Sequence, residues 1–166
     1  MGSCFHCGQE HAVLDPAFRR PEAYVRLSQE ARDEHAKADD DLCRINLPGE
    51  PARFFVRGCL PVNVRDRAED LWWGLWAEIS HAAFRRVLEL WSAEDSSNEP
   101  PIAGTLANTI AGYPETVGLP LLIRLTGPTS RPNFQFVAGA EHPFVVECAA
   151  GVDSHRAAEW VDLVSG

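Results

Sequence analysis

Lysine is almost absent from this sequence, in which Lys37 is the only residue of that type. Basic residues number 15 against 24 acidic ones, and the formal net charge at pH 7 is −9. A protein that binds the phosphate backbone needs clustered Lys and Arg side chains. The charge balance therefore argues against a nucleic-acid partner, whereas an acidic surface suits a basic protein partner.

Long apolar runs are also missing. No stretch approaches the roughly 18 apolar residues that a transmembrane helix requires. The chain is polar from Gly2 onward, without the apolar region of a secretory leader. We therefore expect no membrane span, no secretion and a bacterial cytoplasmic location, where thiols stay reduced.

Common catalytic and nucleotide-binding motifs are absent as well. No GxGxxG or Walker loop is present to hold a phosphate, and no GxSxG elbow presents a nucleophile. Glu78, Ser80 and His81 have the residue types of a catalytic triad, but side chains so close in sequence rarely face one another. Ser80 also fits a helix N-cap. The sequence leaves open whether the protein is an enzyme.

The composition is that of one globular domain. The chain has 166 residues, of which 45% are hydrophobic and 23% charged. A domain of this size buries roughly 68–70% of the surface of its unfolded chain, so it needs no metal to fold as a whole. We predict a single domain over residues 1–166, with a knuckle-like segment at 1–15 and a C-terminal helix at 154–166.

Apolar periodicity gives the order of helices and strands. Alternating apolar and polar residues predict strands at 42–47, 53–62, 71–79, 119–126 and 133–137, the first two as a hairpin. Helical spacing, proline and cap signals predict helices at 21–39, 81–91, 105–110 and 143–149, and a last helix capped by Ser154. We expect Phe84, Val87, Leu88 and Trp91 to form a buried face. This order predicts an α+β domain with a mainly antiparallel sheet and helices packed on one face.

The N-terminus carries the richest pattern of metal-ligand residues. Two residues separate Cys4 from Cys7, and Gly8 follows. Glycine permits the positive φ that turns nearby amides toward two thiolates. His11 adds a third ligand, and Cys43 is predicted as the fourth because its strand can pass beneath the N-terminus. The sequence thus predicts a CxxCG zinc-knuckle-like turn with zinc held by Cys4, Cys7, His11 and Cys43.

Other assignments of these residues stay open. Cys43 also fits a buried core position, because free cysteine is among the most buried residue types. The CxxC pair also fits a redox dithiol or plain reduced thiols, although a thioredoxin-like motif follows a strand and opens a helix. Rival candidates for the fourth metal ligand are His6, His35, Cys59 and Cys148.

Three tryptophans stand close together on one predicted strand. Trp72, Trp73 and Trp76 fall on both faces of the segment 71–79. They indicate either a sheet buried on both faces or an aromatic rim that lines a groove. Gly74, between them, indicates a bulge or a close backbone approach.

Four polar residues have both a functional and a structural interpretation. His142 fits the N-terminal residue of a helix, and as a base it would need an orienting partner that the sequence does not identify. Asn108, Tyr113 and Arg131 are polar groups at one end of the sheet or residues of ordinary turns.

Several short motifs occur in the order found in a known protein family. They are CxxCGxxH at 4–11, DLC at 41–43, FFVRG at 54–58, WGLW at 73–76, YPET at 113–116, GL at 118–119 and HP at 142–143. On these motifs, which run from the N-terminus to about residue 151, the chain resembles the small bacterial proteins grouped as domain of unknown function 2199. The resemblance implies a single-domain bacterial protein and adds weight to Cys4, Cys7, His11 and Cys43 as a set. It implies no catalytic residues.

The leading interpretation is a binding or interaction module with structural zinc at its N-terminus. One alternative is an immunity-type protein that neutralises a basic toxin, which the charge of −9 and the tryptophans motivate. Another is a metal-dependent hydrolase with three protein ligands and an open water position. A nucleic-acid-binding zinc ribbon is a further alternative, against which the charge already argues.

Overall fold

The computed structural model describes residues 15–91, 98–127 and 130–165. In this part of the chain the helices are α1 (Glu22–Val25), α2 (Gln29–His35), α3 (His81–Leu90), α4 (Pro143–Ala150) and α5 (Ser154–Ser165). The strands are β1 (Ala36–Ala38), β2 (Leu42–Ile45), β3 (Arg53–Val62), β4 (Leu71–Ile79), β5 (Ile102–Leu106), β6 (Pro120–Arg124) and β7 (Asn133–Phe136). The predicted mixture of helices and a sheet is confirmed.

The strands form one sheet in which each pairs with the next along the chain. Every such pair is antiparallel, from β1–β2 to β6–β7. One parallel contact, between Cys59 and Asn133, joins the last strand, β7, to the third, β3. Strands β3 to β7 therefore close into a five-stranded barrel, and β1 and β2 extend the sheet beyond it.

Pro61 explains why the contact that closes the barrel is so short. The Cys59 N–H donates to the Pro132 carbonyl at 2.9 Å, so alternate N–H groups of β3 face β7. The next position in that series is Pro61, which has no N–H to donate. Among the described residues, pairing between β3 and β7 is confined to Cys59 and Asn133.

Alternation along β4 divides the core into two clusters. The larger cluster takes Trp73 and Leu75, together with residues of α3, α4 and α5 such as Phe84, Phe144 and Trp160. The smaller cluster takes Trp76 from the opposite face of the strand, and it also contains Cys43, Ile45, Phe55 and Ala107. Ala23 and Tyr24 of α1 pack on this smaller cluster. Helices were predicted on one face of the sheet, but they contribute to the clusters on both.

The hairpin over 42–47 and 53–62 and the strand over 71–79 are confirmed, the latter at the predicted bounds. Two helix predictions were wrong. The segment 21–39 is divided, because the Ser28 side chain accepts the Ala31 N–H and starts α2, and residues 36–38 then pair with β2. Residues 102–106 form strand β5, whose pairing with both β4 and β6 overrides the helical spacing of residues 105–110.

Two smaller predictions about helices were also wrong. Leu88 of α3 is 48% exposed, although Phe84 and Val87 are buried as expected. Ser154 is not the side chain that caps α5, since the Asp153 carboxylate accepts the Arg156 N–H at 2.8 Å. Ser154 instead donates its hydroxyl to Asp66 at 2.6 Å.

Gly74 marks a close backbone approach, as predicted. The Phe18 N–H donates to the Gly74 carbonyl, and the Gly74 N–H donates to the Pro16 carbonyl, both at 2.9 Å. A Cβ at Gly74 would lie 2.8 Å from the Cβ of Ala17. Glycine is therefore required for the segment that begins at Asp15 to lie across β4.

None of the helices within residues 15–91, 98–127 and 130–165 combines the length and apolarity needed to span a bilayer.

Candidate functional site

A groove of about 810 Å³ lies between strand β7 and helix α4. We call it the β7–α4 groove. Pocket volumes of roughly 300–1,000 Å³ are typical of sites that hold small molecules. Its lining residues are Leu60, Pro61, Pro101, Leu122, Arg124, residues 133–140, Val145, Val146 and residues 148–150.

The groove lies at the short closing contact of the barrel. Leu60 and Pro61 line it from β3, and Phe134 and Phe136 line it from β7. Because Pro61 cannot extend the pairing of these strands, side chains rather than a backbone ladder occupy this part of the wall. The groove therefore lies where the pairing of β3 and β7 is interrupted.

Helix α4 forms the other wall, and His142 fixes its start. The His142 Nδ1 accepts the Phe144 N–H at 3.1 Å, so this residue is the N-cap of α4. Its Nε2 lies 3.1 Å from the carbonyl oxygens of Pro114 and Glu115, to which it donates as the N–H of the neutral tautomer. Both ring nitrogens are thus engaged in positioning the helix, in agreement with the predicted place of His142.

A polar cluster ties α4 to α5. The Tyr113 hydroxyl donates to Glu147, and it accepts from Arg156 at 2.8 Å and from the Trp160 indole N–H at 2.9 Å. Arg156 also donates to Glu147 at 2.6 Å. These groups satisfy one another, so the cluster acts as a tie between elements.

The pKa shifts in this cluster agree with that assignment. Burial and the hydrogen bond to Glu147 raise the pKa of Tyr113 to about 12. Burial by itself raises the pKa of Glu147, but the hydrogen bonds from Arg156 and Tyr113 lower it overall. At neutral pH the cluster therefore holds a neutral tyrosine between a carboxylate and a guanidinium.

The described lining of the groove offers few side chains that could transfer a proton. Its described lining contains no Asp, Glu or His side chain. The nucleophile it offers is Cys148, and burial together with the Glu147 carboxylate raises the pKa of that thiol. Cys148 is thus a neutral thiol at neutral pH and a weak nucleophile.

The predicted zinc ligands are placed only in part. Cys4, Cys7 and His11 lie outside the described residues. Cys43 lies in the smaller core cluster at 1% exposure, and burial raises the pKa of its thiol to about 12. Among the described residues, no three His, Cys, Asp or Glu side chains are grouped to hold a metal ion. The four-ligand set therefore stays a prediction.

The tryptophans fit the interpretation of a sheet buried on both faces. Trp73 and Trp76 are fully buried, in the larger and the smaller cluster respectively. Trp72 is 37% exposed, and none of the three lines the β7–α4 groove.

The three residues with the side-chain types of a catalytic triad, Glu78, Ser80 and His81, have separate structural roles. Glu78 forms an ion pair with Arg53 at 2.7 Å, and Ser80 accepts the Ala83 N–H as the N-cap of α3. The His81 ring stacks on Phe54 with 4.8 Å between ring centroids.

The remaining polar candidates have structural partners. Asn108 is buried, and it accepts the Trp76 N–H at 2.7 Å and donates to the Arg20 carbonyl at 3.1 Å. It thereby links β4 to the segment before α1. Arg131 donates to Asp41 at 2.9 Å across the sheet.

Sequence reasoning missed the groove and Arg124, the one charged residue in its described lining. A local signal did exist, because a proline inside a predicted strand indicates an edge or an interruption of the sheet. Pro61 lies inside the strand predicted over residues 53–62, but that prediction includes no edge or interruption at the proline.

Comparison with known proteins yields one finding. Residues 3–152 match the family model described as "Uncharacterized protein conserved in bacteria (DUF2199)". No curated protein and no solved structure matches the chain.

Proposed function

We propose, from the premise that the chain belongs to this family of uncharacterised bacterial proteins, that it is a binding module rather than a catalyst. The observation that carries the proposal is the β7–α4 groove. It has the volume of a small-molecule site and an apolar lining, and the described lining holds no acid–base pair.

We predict that the groove binds one apolar molecule per chain. The neutral fluorophore N-phenyl-1-naphthylamine is a suitable probe, since its emission rises in apolar surroundings. Ala149 is an exposed lining residue, so Ala149→Trp fills the groove without entering the core. We expect saturable binding by the wild type and at least a tenfold weaker affinity in the variant, measured by fluorescence titration.

Ala82→Trp is the matched control for this experiment. Ala82 is an exposed alanine of helix α3 that does not line the groove. Equal affinity of wild type and Ala82→Trp supports the assignment. Binding that survives Ala149→Trp, or no saturable binding at all, contradicts the proposed function.

The second part of the proposal is a structural zinc site of Cys4, Cys7, His11 and Cys43. The CxxCG spacing supports it. Cys43 also lies on the sheet face where Phe18 and Tyr24 pack, so the segment that follows residue 14 reaches that face. When bound, the ion would supply a cross-link between the N-terminus and the sheet.

We predict about one zinc per chain in chelator-washed protein, and none in the double variant Cys4→Ser/Cys7→Ser. Elemental mass spectrometry gives the content directly. Cys148→Ser tests a rival for the fourth ligand and should keep full zinc content, since Cys148 lies in the groove lining and is not in the predicted set. Full zinc content in the double variant, or none in the wild type, would remove the site.

The hydrolase and toxin-neutraliser alternatives gain no support in the described residues. A hydrolase needs a metal with an open position and a carboxylate near it, and the described carboxylates form no such group with Cys or His. A neutraliser of a basic toxin needs a defined acidic face, and the β7–α4 groove, whose described lining is mostly apolar and has no carboxylate, does not supply one.

A further inference from the structure

The β7–α4 groove has a polar feature that an apolar site does not need. Arg124 is the one charged side chain among its described lining residues, and it is exposed. In the described part of the chain its guanidinium has no hydrogen-bond or ion-pair partner, whereas Arg53, Arg86, Arg131 and Arg156 are all paired with carboxylates. An unpaired arginine beside an apolar surface is suited to bind an anion.

Amide side chains lie next to Arg124 on the same face of the sheet. Asn133 of β7 is its direct cross-strand partner, and Gln135 lies two residues further along β7. Directly opposed residues have Cβ atoms about 4.5–5.5 Å apart, and diagonal neighbours are within reach of long side chains. A guanidinium flanked by two amide N–H donors matches the acceptors of a carboxylate.

The charge of the groove differs from that of the protein as a whole. The chain has 24 acidic residues and a net charge of −9, yet none of the described lining residues is Asp or Glu. A cationic ligand would find no counter-ion among them, and an anionic ligand would meet no repulsion within the groove. The local charge therefore selects an anion.

The other lining residues favour a ligand with an extended aliphatic chain. Leu60, Leu122, Val137, Val145 and Val146 line the groove, and Ala149 leaves space along α4. Aliphatic walls of this kind favour the burial of methylene groups, because burial removes their apolar surface from water. We propose that the β7–α4 groove binds a linear aliphatic carboxylate, with the chain along α4 and the carboxylate on Arg124. This inference rests on the proposed binding function and adds the class of its ligand.

The test compares decanoate with 1-decanol and decylamine, which share one chain and differ in the charge of the head. Titration calorimetry at fixed ionic strength, below the concentration at which these probes aggregate, gives the three affinities. We expect decanoate to bind one per chain and at least tenfold more tightly than decanol, with decylamine weakest. Arg124→Gln should lower the affinity for decanoate about tenfold and leave that for decanol unchanged.

Arg85→Gln is the matched control, since Arg85 is an exposed arginine of α3 outside the groove. Its affinity for decanoate should equal that of the wild type.

Failure of this inference is distinguishable from failure of the proposed function. If N-phenyl-1-naphthylamine binds in the groove but decanoate and decanol bind equally, the ligand class is wrong and the binding module remains. Retention of the decanoate preference in Arg124→Gln also overturns the class. If neither the fluorophore nor decanoate binds, both proposals fall.

Discussion

Replacing Gly58 with alanine is expected to destabilise the fold by about 3 kcal/mol, which is at the upper end for inserting one methyl group into a packed core. A Cβ at Gly58 would lie 2.6 Å from Cζ of Phe134, inside the contact distance of real side chains. Phe134 is 2% exposed in the larger cluster, so its ring cannot move away without displacing neighbours. Urea unfolding should show the loss as a lower midpoint with an unchanged slope.

A second variant separates this clash from a general intolerance of β3. Phe134→Leu removes the ring that the new methyl group would meet, so Gly58→Ala should cost less in its presence than in the wild type. The difference is a coupling between the two positions, which a double-mutant cycle measures. Equal costs in both backgrounds would show that the ring is not the obstacle.

Replacing Trp160 with alanine is expected to destabilise the fold by about 4 kcal/mol. Trp160 is fully buried, and its ring packs on Trp73 and Phe144 with centroids 5.2 and 6.0 Å apart. Its indole N–H also donates to the Tyr113 hydroxyl, so the change removes both a large apolar surface and one bond of the cluster that holds α4. Thermal and urea unfolding give the free energy.

Trp72→Ala is the matched control, since it removes the same side chain from a position that is 37% exposed. We expect a cost of about 1 kcal/mol or less there. Trp160→Phe should fall between the two, because it keeps an aromatic ring and loses the N–H. Similar losses for Trp72→Ala and Trp160→Ala would contradict the assignment of Trp160 to the centre of the core. Loss of fluorophore binding in Trp160→Ala would further connect this core to the groove wall.

Local sequence patterns were sufficient to predict the strands in the first half of the sheet. Residues 53–62 and 71–79 alternate over nine residues or more, and strands that pair as neighbours need no information from elsewhere in the chain. The helix predicted over residues 105–110 was wrong, although the local spacing of those residues suits a helix. The pairing of residues 102–106 with β4 and β6, which the local sequence does not encode, decides in favour of a strand.

The candidate site could not be predicted from local sequence patterns, for a different reason. Its walls come from β3, β6, β7 and α4, which meet because Cys59 pairs with Asn133. Nothing in the residues around Arg124 indicates that an apolar wall lies beside it. The zinc prediction is the opposite case, since the spacing of Cys4, Cys7 and His11 is local and stands as a prediction from sequence alone.

The contact between Cys59 and Asn133 that closes the barrel also has a kinetic consequence. Bringing these two residues together in an unfolded chain costs the closure entropy of a long loop. Because β3 to β7 pair in chain order, each hairpin that forms shortens the remaining loop, and the closing contact becomes accessible after the others. Local opening should run in reverse, so that the Cys59 amide exchanges its hydrogen sooner than the amides of the β3–β4 ladder. The barrel then opens along one line, beside the groove, without the rest of its strands unpairing.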